Sequence, residues 1–352
     1  MNQNVVGSIG LSTEAGAESF SDAVARHGNL PAFVHVEHEK LAAGRLNLMH
    51  ASRVEGGKDA RAVLNALTNS GYYIYKAQDG ESRLVHHTRV RTLWRAVVEN
   101  EFQMTESGVV YTYTPPVHDP VKRLVVVFSA MAANPFDTSI NRYFQQPYAS
   151  LKKFLPPDTG VLRVADVGGV KGAFYLDTTY LPENSTVIAD FIEDFVERLH
   201  VPKERVVLYG PSKGGTGSLY CSLTRGWNVV SVDPVIADEL YVERFNDAHF
   251  TTGGIFPRTK EESFADAVDI AASRTDDAQW QRVIITSAFS PQKPYIENGL
   301  SGILQRFTVL DSRNPKIDDH PAVPPSTLWT QLMTINNLLS GFTYPTGESV
   351  LP

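Results

Sequence analysis

From residue 123 onward, short apolar runs alternate with stretches of helical spacing. The runs are Leu124 to Phe128, Val161 to Val164, Val206 to Tyr209, Val229 to Val232, Val283 to Thr286 and Phe307 to Leu310. Each is too short for a helix, rich in β-branched residues and bounded by polar loops, which predicts strands buried on both faces. Between the second and third runs, Val187 to Leu199 places apolar and acidic residues at helical spacing, and Pro202 follows its end. A closing helix is predicted over Ser326 to Leu339. Six strand-and-helix units of this kind predict a doubly wound, mostly parallel α/β sheet wrapped by helices.

The first part of the chain has a different pattern. Asp59 to Asn69 carries Ala60, Val63, Leu64 and Leu67 on one helical face, and Gly71-Tyr72-Tyr73-Ile74-Tyr75, Asp79-Gly80 and Ser82 to His86 read as a β-hairpin. A small α+β domain over 1–116 is therefore expected. The linker-like Pro115-Pro116-Val117-His118-Asp119-Pro120 would separate it from an α/β domain over 117–352. Residues 236–259 break the alternation with Phe245, Phe250, Thr251-Thr252-Gly253-Gly254 and Phe256-Pro257. They read either as a lid over the strand ends or as an ordinary connecting helix and loop.

Composition narrows the partners. The 352 residues are 42% hydrophobic and 20% charged, as in ordinary globular chains, and a net charge of -7 gives no field that would gather nucleic acid or an anionic membrane. Met1 to Ser21 lacks the basic start and apolar run of a secretory signal, and no stretch approaches a membrane span. A lone cysteine, Cys221 in an apolar stretch, reads as a small core residue in a reducing compartment. A cytoplasmic location is the resulting expectation.

The chemistry centres on Gly210-Pro211-Ser212-Lys213-Gly214, between the Val206 to Tyr209 strand and the helix-compatible Ser218 to Leu223. A serine with glycines two before and two after, between strand and helix, is a nucleophile elbow. The bare spacing arises by chance in on the order of one chain in ten, so its weight comes from that context. Two rival readings of these glycines fail. A phosphate-binding P-loop needs Lys-Ser/Thr after its second glycine, where Thr216-Gly217 stands, and a dinucleotide fingerprint from Gly215 needs Gly or Ala at Tyr220.

A serine hydroxyl requires a base, which in this fold comes late in the chain. Two histidines follow Ser212. His249 falls in the possible lid, whereas His320 follows the last predicted strand and is the expected base. The acid is open. The loop after the penultimate strand, Ser287 to Lys293, holds no carboxylate before Glu297, so Asp233 at the end of the preceding strand is preferred, then Glu297, then Asp319. Oxyanion donors would be the backbone N–H of Lys213 and that of Ala130 or Met131, in the loop after Leu124 to Phe128. The scheme needs no cofactor and no metal.

With Tyr209 to Gly215 and Ser231-Val232-Asp233-Pro234 in view, the chain resembles the capsular polysaccharide biosynthesis group (XcbB/CpsF type) of the α/β-hydrolase superfamily, with accessory-secretion glycan O-acetyltransferases as relatives. The resemblance covers roughly residues 124–339, and Ser212-Lys213-Gly214-Gly215 is its most specific part. It implies a Ser212–Asp233–His320 acyl-transfer site for a small-molecule or glycan acyl substrate. Hydrolysis, transfer to an acceptor, lactone or lyase chemistry, and a non-catalytic binding role on the same scaffold all stay open, as does the oligomeric state.

Overall fold

The computed structural model describes residues 8–12, 20, 22, 30–38, 46–54, 56–247, 250, 254–276 and 279–352. Two sheets organise them. The smaller contains β1 (Ser8–Ser12), β2 (Phe33–Glu37), β3 (Tyr72–Gln78) and β4 (Glu81–His86) in the order β1-β2-β4-β3, with the hairpin turning at Asp79 and Gly80. Helix α1 (Lys58–Asn69) buries Ala60, Val63, Leu64 and Leu67 against this sheet, as the apolar spacing predicts.

The larger sheet has nine strands: β5 (Gln103–Met104), β6 (Val110–Thr114), β7 (Arg123–Phe128), β8 (Thr159–Val164), β9 (Val206–Pro211), β10 (Asn228–Val232), β11 (Arg282–Thr286), β12 (Thr308–Ser312) and β13 (Gly347–Leu351). Their order is β13-β12-β11-β10-β9-β7-β8-β6-β5. All neighbours are parallel except the β5/β6 and β6/β8 pairs, which are antiparallel. All six predicted strands are present. Three strands were not among them, and two change the expected boundary: β5 and β6 precede residue 117 yet hydrogen-bond into the large sheet, so that sheet begins near residue 103. Val110-Tyr111-Thr112-Tyr113-Thr114 of β6, between β8 and the two-residue edge strand β5, is mostly half-buried.

Alternation along the central strands divides the core in two. Leu124, Val126 and Phe128 of β7 and Val206 and Leu208 of β9 face α2 (Asn184–Arg198), α3 (Lys213–Arg225) and α5 (Lys260–Ser273), with Phe195, Leu219 and Phe264 among the covering residues. On the opposite face Val125, Val127, Val207 and Tyr209 pack with Leu332, Ile335 and Leu338 of α7 (Leu328–Ser340). Burying a side chain of this kind contributes about 1.5–3 kcal/mol, so every central strand is held from both sides. Such clamping fixes the strand ends, where the loops carry chemistry.

Within 236–259, α4 (Glu239–Phe245) is followed by Phe250, Ile255 and Phe256, which are buried in the core of the N-terminal sheet and α1. Asn69 Nδ2 and Thr179 Oγ1 both donate to the Gly254 carbonyl, at 2.8 and 2.6 Å. This segment therefore ties the N-terminal module to the large sheet. Cys221 is buried in α3, and no helix among the described residues is long and apolar enough to cross a membrane.

Candidate active site

Ser212 stands between β9 and α3 with φ 54° and ψ -117°, a left-handed backbone that costs an L-residue about 1–3 kcal/mol. Its surroundings hold it there. The Ser212 N–H donates to the Val232 carbonyl at 2.8 Å. A Cβ on Gly210 would lie 2.2 Å from the Gly214 carbonyl oxygen, and one on Gly214 would lie 2.5 Å from that of Phe128. Both glycines are thus required by close backbone approach, and the turn pushes the serine side chain out toward the strand ends.

Asp233 terminates the neighbouring strand β10 in the same manner, with φ 45°, and its N–H donates to the Ile285 carbonyl at 2.8 Å. The residue is fully buried. Oδ1 accepts from Thr286 Oγ1 at 2.6 Å, and Oδ2 accepts from Ser290 Oγ at 2.6 Å and faces His320 Nδ1 at 2.7 Å. An ionised carboxylate only accepts, so the proton of this contact sits on Nδ1. That leaves Nε2 as an acceptor, and Ser212 Oγ lies 2.8 Å from it.

His320 follows β12 at the start of a short 3-10 turn, and its side chain is only 12% exposed. Its backbone N–H donates to Asp319 Oδ1 at 2.8 Å. Asp319 therefore caps the turn that carries the histidine and does not touch the ring. Glu297 is engaged elsewhere, 2.5 Å from Lys293 Nζ on α6 (Lys293–Gly299). The three carboxylates left open by the sequence are separated by this geometry: only Asp233 meets the imidazole. His249 lies outside the described residues.

Lys213 occupies the first position of α3, where backbone N–H groups have no partner within the helix. Ala130 and Met131 follow β7, the strand beside β9, and both are half-buried. Ala130 forms an isolated antiparallel bridge with Gln145, and Met131 packs against the cluster of Phe174, Val235, Leu240 and Tyr241. The start of the loop after β7 runs against the first turn of α3, since a Cβ on Gly214 would lie 3.1 Å from the Ser129 carbonyl oxygen. Among the described residues, no group of three or more His, Cys, Asp or Glu could hold a metal ion. An apolar cavity of about 230 Å³ opens elsewhere, between Tyr73, His87, Val110, Ala165 and Leu181, and does not include Ser212.

Sequence reasoning did not identify Thr286 and Ser290. The signal was the penultimate-strand loop itself: where a carboxylate is missing, Thr286-Ser287-Ala288-Phe289-Ser290 supplies hydroxyls instead, and two of them grip the carboxylate of the adjacent strand.

No protein-family model matches the chain, and no curated protein matches it by sequence. Similar solved structures include the capsule O-acetyltransferase of Neisseria meningitidis serogroup A, at 13% identity and TM-score 0.49 over 68% of this chain and 93% of that one. The fluorophosphonate-binding serine hydrolase FphF of Staphylococcus aureus is 15% identical with TM-score 0.48, covering 68% of this chain and 96% of that one. An arylesterase is 11% identical with TM-score 0.45, covering 81% and 93%. At such identities no chemistry passes from these proteins to this chain. The strand order, the antiparallel edge and the crossover helices make the architecture a doubly wound fold of the α/β-hydrolase type.

Proposed function

We propose that the chain is a serine-dependent acyl-transfer enzyme acting on ester-type or acylated substrates, with Ser212 as nucleophile, His320 as base and Asp233 as the acid of the triad. One observation supports this above all. Three side chains, two directly after β9 and β10 and one in the loop after β12, form a single hydrogen-bonded line, Ser212 Oγ to His320 Nε2 at 2.8 Å and His320 Nδ1 to Asp233 Oδ2 at 2.7 Å. A surface hydroxyl has no use for a histidine held by a buried carboxylate, whereas a nucleophile does.

In this reading Ser212 Oγ attacks the acyl carbon and gives its proton to Nε2. The imidazolium is stabilised by Asp233 and returns the proton to the leaving oxygen as the ester bond breaks. Water or an acceptor hydroxyl then attacks the acyl-serine, with His320 taking its proton, and Ser212 is regenerated. The N–H groups of Lys213 and of Ala130 or Met131 are the oxyanion donors. A small-molecule or glycan acyl group as substrate belongs to the same reading through the capsular-group resemblance.

A fluorophosphonate probe tests it. Labelling of the wild-type protein at Ser212, with labelling absent in a folded Ser212→Ala variant, is the expected outcome. An unlabelled wild-type protein would return the chain to a non-catalytic binding role.

A further inference from the structure

The side chain of Lys213, directly after the nucleophile, does not point to solvent. Its Nζ lies 2.9 Å from Asp166 Oδ2, both side chains wholly buried, and it also donates to the Lys171 carbonyl at 3.3 Å. Asp166 follows β8 and does more than balance this charge. Oδ1 accepts the N–H groups of Ala173 and Tyr175, and Oδ2 accepts that of Phe174, each at 3.0 Å. Three successive N–H groups converge on one carboxylate only where the backbone curls, and Phe174 and Tyr175 have φ of 54° and 60°.

The curl delivers Tyr175 to the other side of the site. Its hydroxyl donates to the Val164 carbonyl at 2.8 Å and accepts the N–H of Ser129 at 2.5 Å. Ser129 immediately precedes Ala130. One buried chain of contacts therefore runs from the residue that bears the first oxyanion N–H, through Asp166 and Tyr175, to the loop that bears the second.

Glycines keep the space for it. A Cβ on Gly172 would lie 2.2 Å from Asp166 Oδ2 and 2.4 Å from Lys213 Nζ, and one on Gly217 would lie 2.3 Å from the Tyr175 ring. The second of these accounts for a glycine inside α3, where it otherwise weakens the helix. Stability is a poor reason for the ion pair, since apolar residues of the same volume hold a core as well or better. Direction is a better one: a charge pair with three added backbone donors permits one arrangement of the loops.

We propose that Lys213, Asp166 and Tyr175 are positioning residues that brace the two oxyanion donors at a fixed separation before substrate arrives. The proposal rests on the serine-nucleophile reading above. Donors aimed in advance at the place where negative charge develops need no reorganisation during reaction, and their misplacement by about 1 Å costs on the order of 100-fold in rate.

The test uses a fluorophosphonate, whose P–F bond breaks as Ser212 Oγ bonds to phosphorus, the serine proton passing to His320 and fluoride departing. Its phosphoryl oxygen occupies the place of the oxyanion, so the measurement does not depend on knowing the substrate. Tyr175→Phe keeps the buried ring and removes only the hydroxyl; Lys213→Met removes the ammonium and keeps the stem. Both are expected to lower the limiting inactivation rate roughly tenfold to 100-fold while leaving the half-saturating probe concentration within about twofold. Should Lys213→Met fail to fold, Tyr175→Phe decides alone. A folded Tyr175→Phe protein that reacts at the wild-type limiting rate, whatever its melting temperature, overturns the brace and leaves the nucleophile standing. Absence of labelling in the wild-type protein overturns both.

Discussion

Two lysines are buried beside each other behind the strand ends, and the fold treats them in opposite ways. Lys213 meets a carboxylate that three backbone N–H groups already hold. Lys171, whose carbonyl touches the first amine, has no hydrogen-bond partner for its own Nζ among the described residues. It lies 5.2 and 5.7 Å from the ring centres of Phe136 and Phe250, with Arg53 stacked on Phe250 and bonded to Asp247 nearby. Burial, reinforced by the like charges of Arg53 and Arg142 and only partly offset by Asp247, pulls the Lys171 amine down to about 7. The contrast extends to the surroundings. Around Ser212 and Asp233 both oxygens of the carboxylate and both ring nitrogens have partners. At the junction with the N-terminal module, His86 Nε2 has none among the described residues, and burial beside His87 pushes that imidazole down to about 4. One corner is over-determined by polar contacts, while the other is held by apolar packing at a polar cost.

The most severe way to break the satisfied corner is Asp233→Asn. An amide can donate to Nδ1 and so favour the wrong histidine tautomer, and it cannot stabilise the imidazolium. Turnover is expected to fall on the order of 10,000-fold with the fold retained. Glu297→Gln should leave the rate near wild type, because that carboxylate meets Lys293 on the surface of α6. Steady-state kinetics on the three proteins, including Asp319→Asn, check the order. A larger loss for Glu297→Gln or Asp319→Asn than for Asp233→Asn would move the acid.

The unsatisfied corner responds through stability. A lysine whose folded-state pKa is depressed to about 7 binds its proton less readily when folded than when unfolded, where the ordinary value is 10.5. Its penalty is present in full below about pH 7 and is relieved as pH rises toward 10.5, so stability should increase with pH across that window. Lys171→Met keeps the stem and removes the charge. It is expected to raise the unfolding free energy at pH 7 by a few kcal/mol, on the order of the shift converted at 1.36 kcal/mol per pH unit, and to flatten the slope between pH 7 and 10. Denaturant titrations at several pH values read both effects. An unchanged slope in Lys171→Met would assign it to other groups.

How much of this was legible in the sequence follows from where each residue's determinants lie. The strands Leu124 to Phe128 and Val206 to Tyr209 announce themselves because burial on both faces demands unbroken apolar runs. Strand β6 does not, because its Val110-Tyr111-Thr112-Tyr113-Thr114 mixes apolar and polar residues and is only partly buried, and it was grouped with the module before it. β13, largely exposed, carries almost no apolar signal. In the site, Ser212 is marked by local sterics that only glycine at 210 and 214 can meet. His320 and Asp233 were narrowed by their places after strands. Neither Asp166 nor Tyr175 was visible, since what selects them is a set of contacts between loops more than 30 residues from the elbow in the chain.

The mildest perturbation sharpens the comparison most. Ser290 Oγ donates at 2.6 Å to Asp233 Oδ2, the same oxygen that faces His320 Nδ1, whereas Thr286 holds the opposite oxygen. Removing Ser290 leaves Asp233 with one hydroxyl donor and its histidine, still buried and still paired. A hydrogen bond to a charged group is worth about 1.5–3 kcal/mol, part of which the remaining contacts recover. Part of what is lost bears on catalysis, because a carboxylate free to rotate holds the imidazole less firmly against Ser212. Ser290→Ala is expected to lower kcat roughly tenfold with little change in KM, and to lower unfolding stability by about 1 kcal/mol. Paired kinetic and denaturant measurements separate the two effects. A stability loss without any change in kcat would show that Thr286 alone orients Asp233, and that the second hydroxyl serves the core.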